Sequence, residues 1–413
     1  MREVDVLPYG RQTIEQDDID AVVRALRSDY LTAGPEVGEF EKELAQYCGS
    51  KYAVVCANGT AALHLASLAL GLGPNTEVIT SPITFMATSN SALYCGASVA
   101  FLDIDPHTGC LDPKEVRKYL EMKKQSGSEI RPAALYPIHF AGHPAAMQEL
   151  HQIAREYDLK IVEDACHAIG STYTGDDGRP AKVGSCQHSD MTVFSFHPVK
   201  HMTTAEGGAI TTNDPALYQK LITLRSHGIV RASQEWKNRD MGFTAAGAPN
   251  PWYHEMQALG FNYRLTDVQC ALGRTQLKKL DRFITTRREL ADSYRTCLKE
   301  MQDLVRPLYA SAHPGHSYHL FPVLIPFAKL GMERAELMQE LQKRGIYTQV
   351  HYIPVHKQPY YKSIQHQVTV GDCTNSEKYY AECLTLPLFP QMNSGHVKRV
   401  VSALKEILEP RLS

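Results

Sequence analysis

The sequence lacks both a strong net charge and a long apolar run. Its 413 residues carry a formal net charge of −2, and no block of like charges is long enough to form a tail. We therefore expect neither nucleic acid nor a membrane surface as a partner. No stretch reaches about 18 apolar residues, the length of a membrane-spanning helix. The first twenty residues lack a basic start followed by an apolar core, so we expect a cytoplasmic protein without a signal peptide.

Metal-binding and dinucleotide-binding motifs are also missing. The ten cysteines form no CxxC pair, and the eighteen histidines show neither HExxH nor zinc-ribbon spacing. We therefore predict no metal site. Several cysteines lie within apolar runs, which is typical of buried, reduced thiols. The fingerprint GxGxxG does not follow the first predicted strand, where the sequence reads CANGTAAL, and this argues against a Rossmann-type oxidoreductase.

Between residues 50 and 213 the chain alternates short apolar runs with helical patterns. The runs are almost continuously hydrophobic, as in strands covered on both faces. This alternation predicts an α/β domain with a mostly parallel, seven-stranded sheet. The predicted strands are residues 52–57, 77–82, 99–104, 133–138, 160–165, 191–196 and 208–213, and the predicted helices are residues 60–70, 87–94, 113–124 and 145–157.

The pattern becomes mainly helical after residue 214. We predict an N-terminal segment and large domain in residues 1–265, followed by a linking helix and a smaller C-terminal α+β domain in residues 266–413. Residues 228–265 are rich in Gly, Pro, Asn and Trp and predict an irregular loop. The other predicted elements are a helix capped by Asp214 that ends near Arg225, a long helix over 267–301, strands over 318–326 and 345–356, and helices over 333–344 and 396–408.

Candidate binding residues follow the first two predicted strands, at the sheet edge where open α/β sheets bind ligands. Gly59 and Thr60 form a small turn that opens a helix. Such a turn leaves backbone N–H groups that can bind an anion, although it can equally be a plain helix cap. Phe85 follows the second strand, where it is either a core residue or a flat platform for a planar ring.

An acid and a lysine follow two later strands. Asp164 is costly to bury unpaired, so it either caps the next helix or pairs with a protonated ring nitrogen. Lys200 lies in SFHPVKHMTTAEGGAIT, after the sixth strand. A lysine near an anion site and an acid can have a lowered pKa and attack a carbonyl. A Schiff-base lysine, an acid and a phosphate site together predict pyridoxal 5′-phosphate (PLP) as cofactor.

At these residues the chain resembles the sugar-nucleotide aminotransferases of the DegT/DnrJ/EryC1/StrS family, which are fold-type-I PLP-dependent transferases. The resemblance extends from YLTAGPEVGEFEKELAQYCGSKYAVVCANGTAAL through VEDACHAIGSTY, FSFHPVKHMTTAEGGAITTND and GFNYRLTDVQCALG to QVHYIPVH. Among the branches of the family, it resembles the one that acts in pseudaminic acid synthesis. That branch implies transfer of an amino group from glutamate to C4 of a UDP-linked 4-keto-6-deoxy-N-acetylhexosamine. A 3-keto sugar, a dTDP or GDP carrier, and a non-catalytic PLP-binding regulator remain as alternatives.

The resemblance also implies a homodimer with shared active sites and a role for each candidate residue. Lys200 would be the catalytic residue that holds the cofactor and moves protons, and Asp164 would pair with the ring nitrogen. The other implied cofactor contacts are Gly59, Thr60 and Ser195 at the phosphate, Phe85 on the ring, His167 near O3′, and Asn262 from the partner subunit. The implied substrate contacts are Tyr9, Thr32, Arg264, His319, His351 and Tyr352, for which a structural role is equally open. The segment 231–256 is long for the family, and either is a surface loop or covers the site.

Overall fold

An eight-stranded, mostly parallel sheet forms the centre of the protein. The computed structural model describes residues 6–127 and 129–412. Only one strand of the sheet, residues 208–212, runs antiparallel to its neighbours. The predicted parallel sheet is confirmed, with one strand more than the seven expected. Numbered along the chain, the strands in spatial order are β1 (Tyr52–Cys56), β9 (Gly208–Thr212), β8 (Met191–Ser195), β5 (Lys160–Asp164), β4 (Arg131–Tyr136), β2 (Thr76–Thr80), β3 (Ser98–Phe101) and β14 (Val368–Val370).

Both faces of this sheet are covered by helices. Side chains alternate between the faces of a strand, and in β1 Ala53 and Val55 belong to one apolar core whereas Val54 and Cys56 belong to another. Burial on both faces explains why the strands are almost continuously apolar. The helices in the first three quarters of the chain are α1 (Gln16–Leu26), α2 (Pro35–Cys48), α3 (Gly59–Ala69), α4 (Ala87–Tyr94), α5 (Pro113–Ser126), α6 (Met147–Glu156), α7 (Pro215–Arg225), α8 (Arg239–Gly242) and α9 (Asp267–Leu298).

Local capping signals set several helix starts. The Asp214 side chain accepts hydrogen bonds from the first turn of α7, as predicted. Thr266 and Gln269 form a reciprocal capping box at the start of α9, which satisfies N–H groups that the helix itself leaves unpaired. Residues 299–301 continue α9 as a short 3-10 turn, so the long predicted helix is confirmed. Helices α1 and α2 were not predicted.

The C-terminal part of the chain adds a second, smaller sheet. Its three strands pair antiparallel. Strand β14 lies in this part of the sequence but pairs with β3 of the large sheet, so the boundary after residue 265 stays a prediction. The elements are strands β12 (Arg306–Pro307), β13 (Phe321–Leu324) and β15 (Cys383–Leu386) and helices α10 (Phe327–Leu330), α11 (Arg334–Lys343), α12 (Pro359–Ser363), α13 (Thr374–Glu382) and α14 (Ser394–Leu408).

Two predictions for the second half of the chain need correction. Residues 345–356 do not form a strand and make only isolated bridges, such as Gln349 with Thr385. Their apolar side chains serve different cores, because Ile346 packs in the core of the small sheet and Val355 in a core of the large one. A single strand in one sheet could not place both side chains in their cores, so the segment does not form a strand.

The predicted irregular loop also has a structure of its own. Strands β10 (Ile229–Val230) and β11 (Glu255–Met256) pair across it, and the buried Trp236 contacts the rings of Phe243 and Tyr253. Strands β6 (Thr172–Thr174) and β7 (Pro180–Lys182) form a further hairpin. Within the described part of the chain, no helix is both long and apolar enough to cross a membrane.

Candidate active site

A cavity of about 480 Å³ opens at the carboxyl ends of the parallel strands. It lies where polar residues follow β1, β2, β5 and β8, as ligand sites do in open α/β sheets. Most of the residues selected from the sequence meet there. Those that line the cavity are Tyr9, Gly59, Thr60, Phe85, Asp164, His167, Ser195, Lys200, His319, His351 and Tyr352.

Lys200 lies on the loop that joins the antiparallel strands β8 and β9. The Thr203 hydroxyl donates to the carbonyl of Phe196 at 3.0 Å, which folds the loop back on the end of β8. Gly208 then re-enters the sheet so close to Asn58 that a Cβ atom would overlap the Asn58 carbonyl. The paired glycines after Lys200 therefore have a steric cause, because only glycine permits this approach.

The environment of Lys200 favours its neutral amine. Burial lowers the pKa of Lys200 below its ordinary value of 10.5, although nearby Cys166 and Asp164 act in the opposite direction. Removing a cation from water disfavours the charged form. A neutral amine is the form that can attack a carbonyl carbon or accept a proton.

Asp164 is a buried carboxylate at the end of β5, the strand that pairs directly with β8. It accepts hydrogen bonds from the Thr88 hydroxyl at 2.6 Å and from the amide of Cys166 at 3.1 Å. No described lysine, arginine or histidine forms an ion pair with it. Since a buried carboxylate without a cation is costly, this arrangement suits a ligand that brings its own N–H⁺ group.

The turn after β1 provides a site for an anion. The Asn58 side chain accepts from the amide of Ala61 at 2.8 Å and so caps α3, while Gly59 and Thr60 contribute the first N–H groups of that helix to the cavity wall. Such groups have no acceptor within the helix. A Cβ atom on Gly59 would lie 3.0 Å from Cβ of Ser195, so the turn and the end of β8 are in close contact.

Histidine and tyrosine side chains also line the cavity. A hydrogen bond of 2.9 Å joins Tyr352 Oη to His167 Nε2, and the His167 and His319 ring centroids are 4.5 Å apart. Burial, reinforced by neighbouring positive groups, holds the pKa of His167 and that of His319 well below the ordinary value of 6.5. The pKa of His351 falls to about 3 for the same reasons, mainly burial. These rings are therefore neutral hydrogen-bonding groups at neutral pH.

Three residues selected from the sequence lie outside the cavity. Thr32 is exposed and bridges to Thr266, and Asn262 is exposed and bridges to Ser226. Arg264 is half-buried. Their positions on the surface leave them accessible to a second subunit, so their roles remain predictions.

Sequence reasoning missed Thr88 as a partner of Asp164. The available signal was the spacing of Thr84 and Thr88, which places two hydroxyls one helical turn apart beyond β2. The structure joins those hydroxyls at 2.8 Å. In the part of the chain that the structure describes, no group of three or more His, Cys, Asp or Glu residues could hold a metal ion.

The donor set of the cavity fits PLP. Asp164 can pair with a ring N–H⁺, the start of α3 and Ser195 can bind a phosphate, and Lys200, which lines the same cavity, provides an amine for an aldehyde. The buried Nδ1 atom of His167 also has no partner among the described residues, as expected of a polar atom that meets a ligand.

Comparison with known proteins identifies the family. Residues 12–405 match the model of the DegT/DnrJ/EryC1/StrS aminotransferase family. The chain belongs to this family. Enzymes of the DegT/DnrJ/EryC1/StrS family depend on PLP, and the protein is a PLP-dependent sugar aminotransferase with the fold-type-I architecture.

Relatives and solved structures of the DegT/DnrJ/EryC1/StrS family match over almost the full chain. A UDP-4-amino-4,6-dideoxy-N-acetyl-beta-L-altrosamine transaminase of Campylobacter jejuni is 37% identical over 404 residues, with 98% of each chain covered. Helicobacter pylori PseC, an aminotransferase of pseudoaminic acid biosynthesis, superposes with a TM-score of 0.85 at 28% identity, covering 98% of this chain and 100% of PseC. The PLP form of the putative sugar aminotransferase Spr1654 from Streptococcus pneumoniae gives a TM-score of 0.82 at 26% identity, covering 99% and 100%.

Proposed function

We propose that this aminotransferase moves an amino group from glutamate to C4 of a UDP-linked 4-keto-6-deoxy-N-acetylhexosamine. The observation that supports amino transfer is the position of Lys200, on the loop after β8, and of Asp164, at the end of the adjacent strand β5, in one cavity with the start of α3. The similarity to the Campylobacter transaminase and to PseC supports the choice of sugar.

Lys200 is the proposed acid–base group. Bound PLP supplies an aldehyde that an amine can hold covalently and a ring that accepts electrons. In the first half-reaction, the Lys200 amine would remove the proton from Cα of glutamate. The amino group would stay with the cofactor, and water would supply the keto oxygen of the 2-oxoglutarate that leaves. In the second half-reaction, C4 of the keto sugar would take up that amino group and lose its oxygen as water, while the same Lys200 amine would deliver a proton to C4. Its lowered pKa favours the unprotonated form that the first step needs.

Asp164 and the α3 turn orient the cofactor in this proposal. Asp164 holds the proton on the ring nitrogen, and its bonds from Thr88 and Cys166 keep the carboxylate in one orientation. Gly59, Thr60 and Ser195 would bind the phosphate, Phe85 would cover one face of the ring, and His167 would contact O3′. The ring of Phe85 is 55% exposed, which leaves a large apolar face available for stacking.

The sugar nucleotide is proposed to contact Tyr9, His319, His351 and Tyr352. Because the histidines are held neutral, they can donate or accept hydrogen bonds to sugar hydroxyls without adding charge. We propose a cytoplasmic homodimer in which Thr32, Asn262 and Arg264 act at the site of the partner subunit. This arrangement would explain why these three residues are on the surface and outside the cavity of their own chain.

A coupled assay tests the proposed substrate. The enzyme is incubated with glutamate and a panel of UDP-, dTDP- and GDP-linked 4-keto-6-deoxy sugars together with a 3-keto sugar, and product NMR reports the position and configuration of the new amine. We expect amination at C4 of the UDP-linked N-acetylhexosamine, and none by the Lys200→Ala variant. Turnover of only a 3-keto sugar, or only of a dTDP- or GDP-linked sugar, would contradict the proposal. A protein that binds PLP but aminates no keto sugar would support a regulator instead.

A further inference from the structure

A buried arginine lies on α9 beyond the residues so far assigned to the cavity. Arg287 has no exposed surface and is the largest fully buried side chain of the described chain. No Asp or Glu among the described residues forms an ion pair with it. Burial lowers the pKa of Arg287 to about 10, so it remains protonated at neutral pH. A buried cation without an acid is unfavourable for stability, and its presence requires another explanation.

The guanidinium of Arg287 donates hydrogen bonds to backbone carbonyl groups of two separate segments. Its Nη1 atom donates to the carbonyl of Leu388 at 2.8 Å, to that of His319 at 3.2 Å and to that of Tyr318 at 3.3 Å. The Nε and Nη2 atoms are buried without a partner among the described residues. The side chain therefore uses one nitrogen, Nη1, to hold residues 318–319 and residue 388 next to each other.

Both segments lead directly to the cavity. His319 lines the cavity with its side chain while its carbonyl is held by Arg287. On the other segment, the amide of Leu388 donates to the carbonyl of Tyr9 at 3.1 Å, and Tyr9 also lines the cavity. A single cation thus connects two wall residues that come from opposite ends of the chain.

The charge of Arg287 reinforces the neutral state of nearby histidines. Burial is the main reason why the pKa of His319 lies well below its ordinary value, and the charge of Arg287 adds to this effect. The same combination lowers the pKa of His201, which follows Lys200. Carbonyl dipoles directed at the guanidinium partly replace the water that burial removes.

We propose that Arg287 is a positioning residue that sets the place of Tyr9 relative to His319 and thereby the affinity for the keto sugar nucleotide. This inference depends on the proposed function for the assignment of the wall to that substrate. Arg287 does not itself line the cavity. The proposed cofactor contacts at Asp164, Gly59 and Ser195 belong to other elements, so we expect the Arg287 variants to retain cofactor binding.

The test compares Arg287→Met and Arg287→Lys with Tyr294→Phe. Tyr294 is a matched control because it is fully buried on the same helix and donates to the neighbouring carbonyl of Pro387 at 2.9 Å. We expect Arg287→Met to raise KM for the UDP-linked keto sugar by about tenfold or more. Arg287→Lys, which keeps the charge but reaches fewer carbonyls, should give an intermediate KM. Tyr294→Phe should lower stability without changing KM.

Cofactor measurements separate positioning from general damage. In the Arg287 variants, the absorbance of the bound cofactor and the rate of the glutamate half-reaction should stay within about threefold of the unmodified enzyme. An unchanged KM in folded Arg287→Met, or an equal loss of cofactor binding and sugar affinity, would overturn the inference. If Arg287→Met does not fold, the same criteria apply to Arg287→Lys.

Hydrogen–deuterium exchange gives a readout that does not depend on the sugar. Arg287→Lys should exchange faster than Tyr294→Phe in peptides that cover residues 6–12 and 317–321, with no difference at residues 58–62. Equal exchange in the two variants would overturn the inference. If the unmodified enzyme aminates no sugar of the panel, the proposed function fails, while the exchange experiment still decides whether Arg287 holds the wall.

Discussion

The hydroxyl of Thr88 donates a 2.6 Å hydrogen bond to the carboxylate of Asp164. The hydroxyl of Thr84 lies 2.8 Å from that of Thr88, and because the Thr88 proton goes to the carboxylate, Thr84 is the donor to Thr88. The two hydroxyls therefore form a chain that ends on Asp164. Such a chain holds the Asp164 carboxylate in one orientation, from which it could pair with the N–H⁺ group of a ring.

Thr88→Val should reduce kcat without preventing folding. A hydrogen bond to a charged group contributes about 1.5–3 kcal/mol, so we expect a loss of about tenfold or more in kcat. Thr88→Ser keeps the hydroxyl and should retain most activity, and Thr84→Val should have a smaller effect than Thr88→Val. Steady-state kinetics with saturating glutamate and keto sugar would check the order. Equal activity of Thr88→Val and Thr88→Ser would show that the bond to Asp164 is unimportant.

Lys200→Ala should abolish transamination. Loss of a positioned acid–base group typically costs about 10²–10⁴-fold in rate, and loss of the covalent link to the cofactor adds to this. Single-turnover absorbance with glutamate would measure the decrease, and borohydride treatment followed by mass spectrometry would no longer find cofactor attached at residue 200. Lys160→Ala is the control, because Lys160 lies on the surface in an ion pair with Asp190. Attachment of cofactor to another lysine in the unmodified enzyme would refute the assignment.

Gly59→Ala should weaken PLP binding. The added Cβ would lie 3.0 Å from Cβ of Ser195 and 3.3 Å from the sulfur of Cys166, so the turn must move away from β8. A shift that costs about 1.4 kcal/mol raises Kd about tenfold, and titration of the apoenzyme with PLP would measure it. Gly38→Ala is a matched control, since nothing lies within 4 Å of its Cβ position. Equal Kd values for the two variants would contradict a phosphate site at Gly59.

Stability should decrease as the pH falls from about 6.5 toward 4. Burial, reinforced by His313, lowers the pKa of His143 to about 4, and burial lowers that of His351 to about 3. Below pH 6.5 these two histidines bind protons in the unfolded chain but stay neutral in the folded protein. The free energy of unfolding therefore decreases as the pH falls. Each such histidine contributes up to about 1.4 kcal/mol per pH unit. Urea unfolding at several pH values would measure the free energy of unfolding, which should change less steeply with pH in His143→Gln than in the unmodified protein. An unchanged dependence on pH would contradict neutral burial of this ring.

Local signals in the sequence were sufficient for most elements of the large domain. The cap at Asp214 and the helical pattern of residues 145–157 predicted helices that the structure has at those positions. These signals act within a few residues, so they can be read along the chain. The strand expected at 345–356 failed because Ile346 and Val355 face different cores, and a local pattern does not show which core a side chain joins.

In the candidate site, too, local motifs were predicted from the sequence and long-range contacts were not. Motif order along the chain identified Lys200, Asp164 and the turn at Gly59, which the structure brings into one cavity. Thr88 was missed because its partner, Asp164, is 76 residues away. Arg287 was missed because its partners are backbone carbonyl groups. Every residue has such a group, so the sequence does not show which ones Arg287 contacts.

The sequence by itself determined most strands and helices of the large domain, the family, and a lysine followed by two glycines. Only the tertiary structure decided why the glycines are needed, since Gly208 must approach the carbonyl of Asn58 where β9 re-enters the sheet. It also decided that a buried, uncompensated Arg287 stands behind the cavity wall. Both are contacts between distant segments. Periodicity and capping are properties of neighbouring residues, whereas close packing and desolvation arise only when the chain has folded.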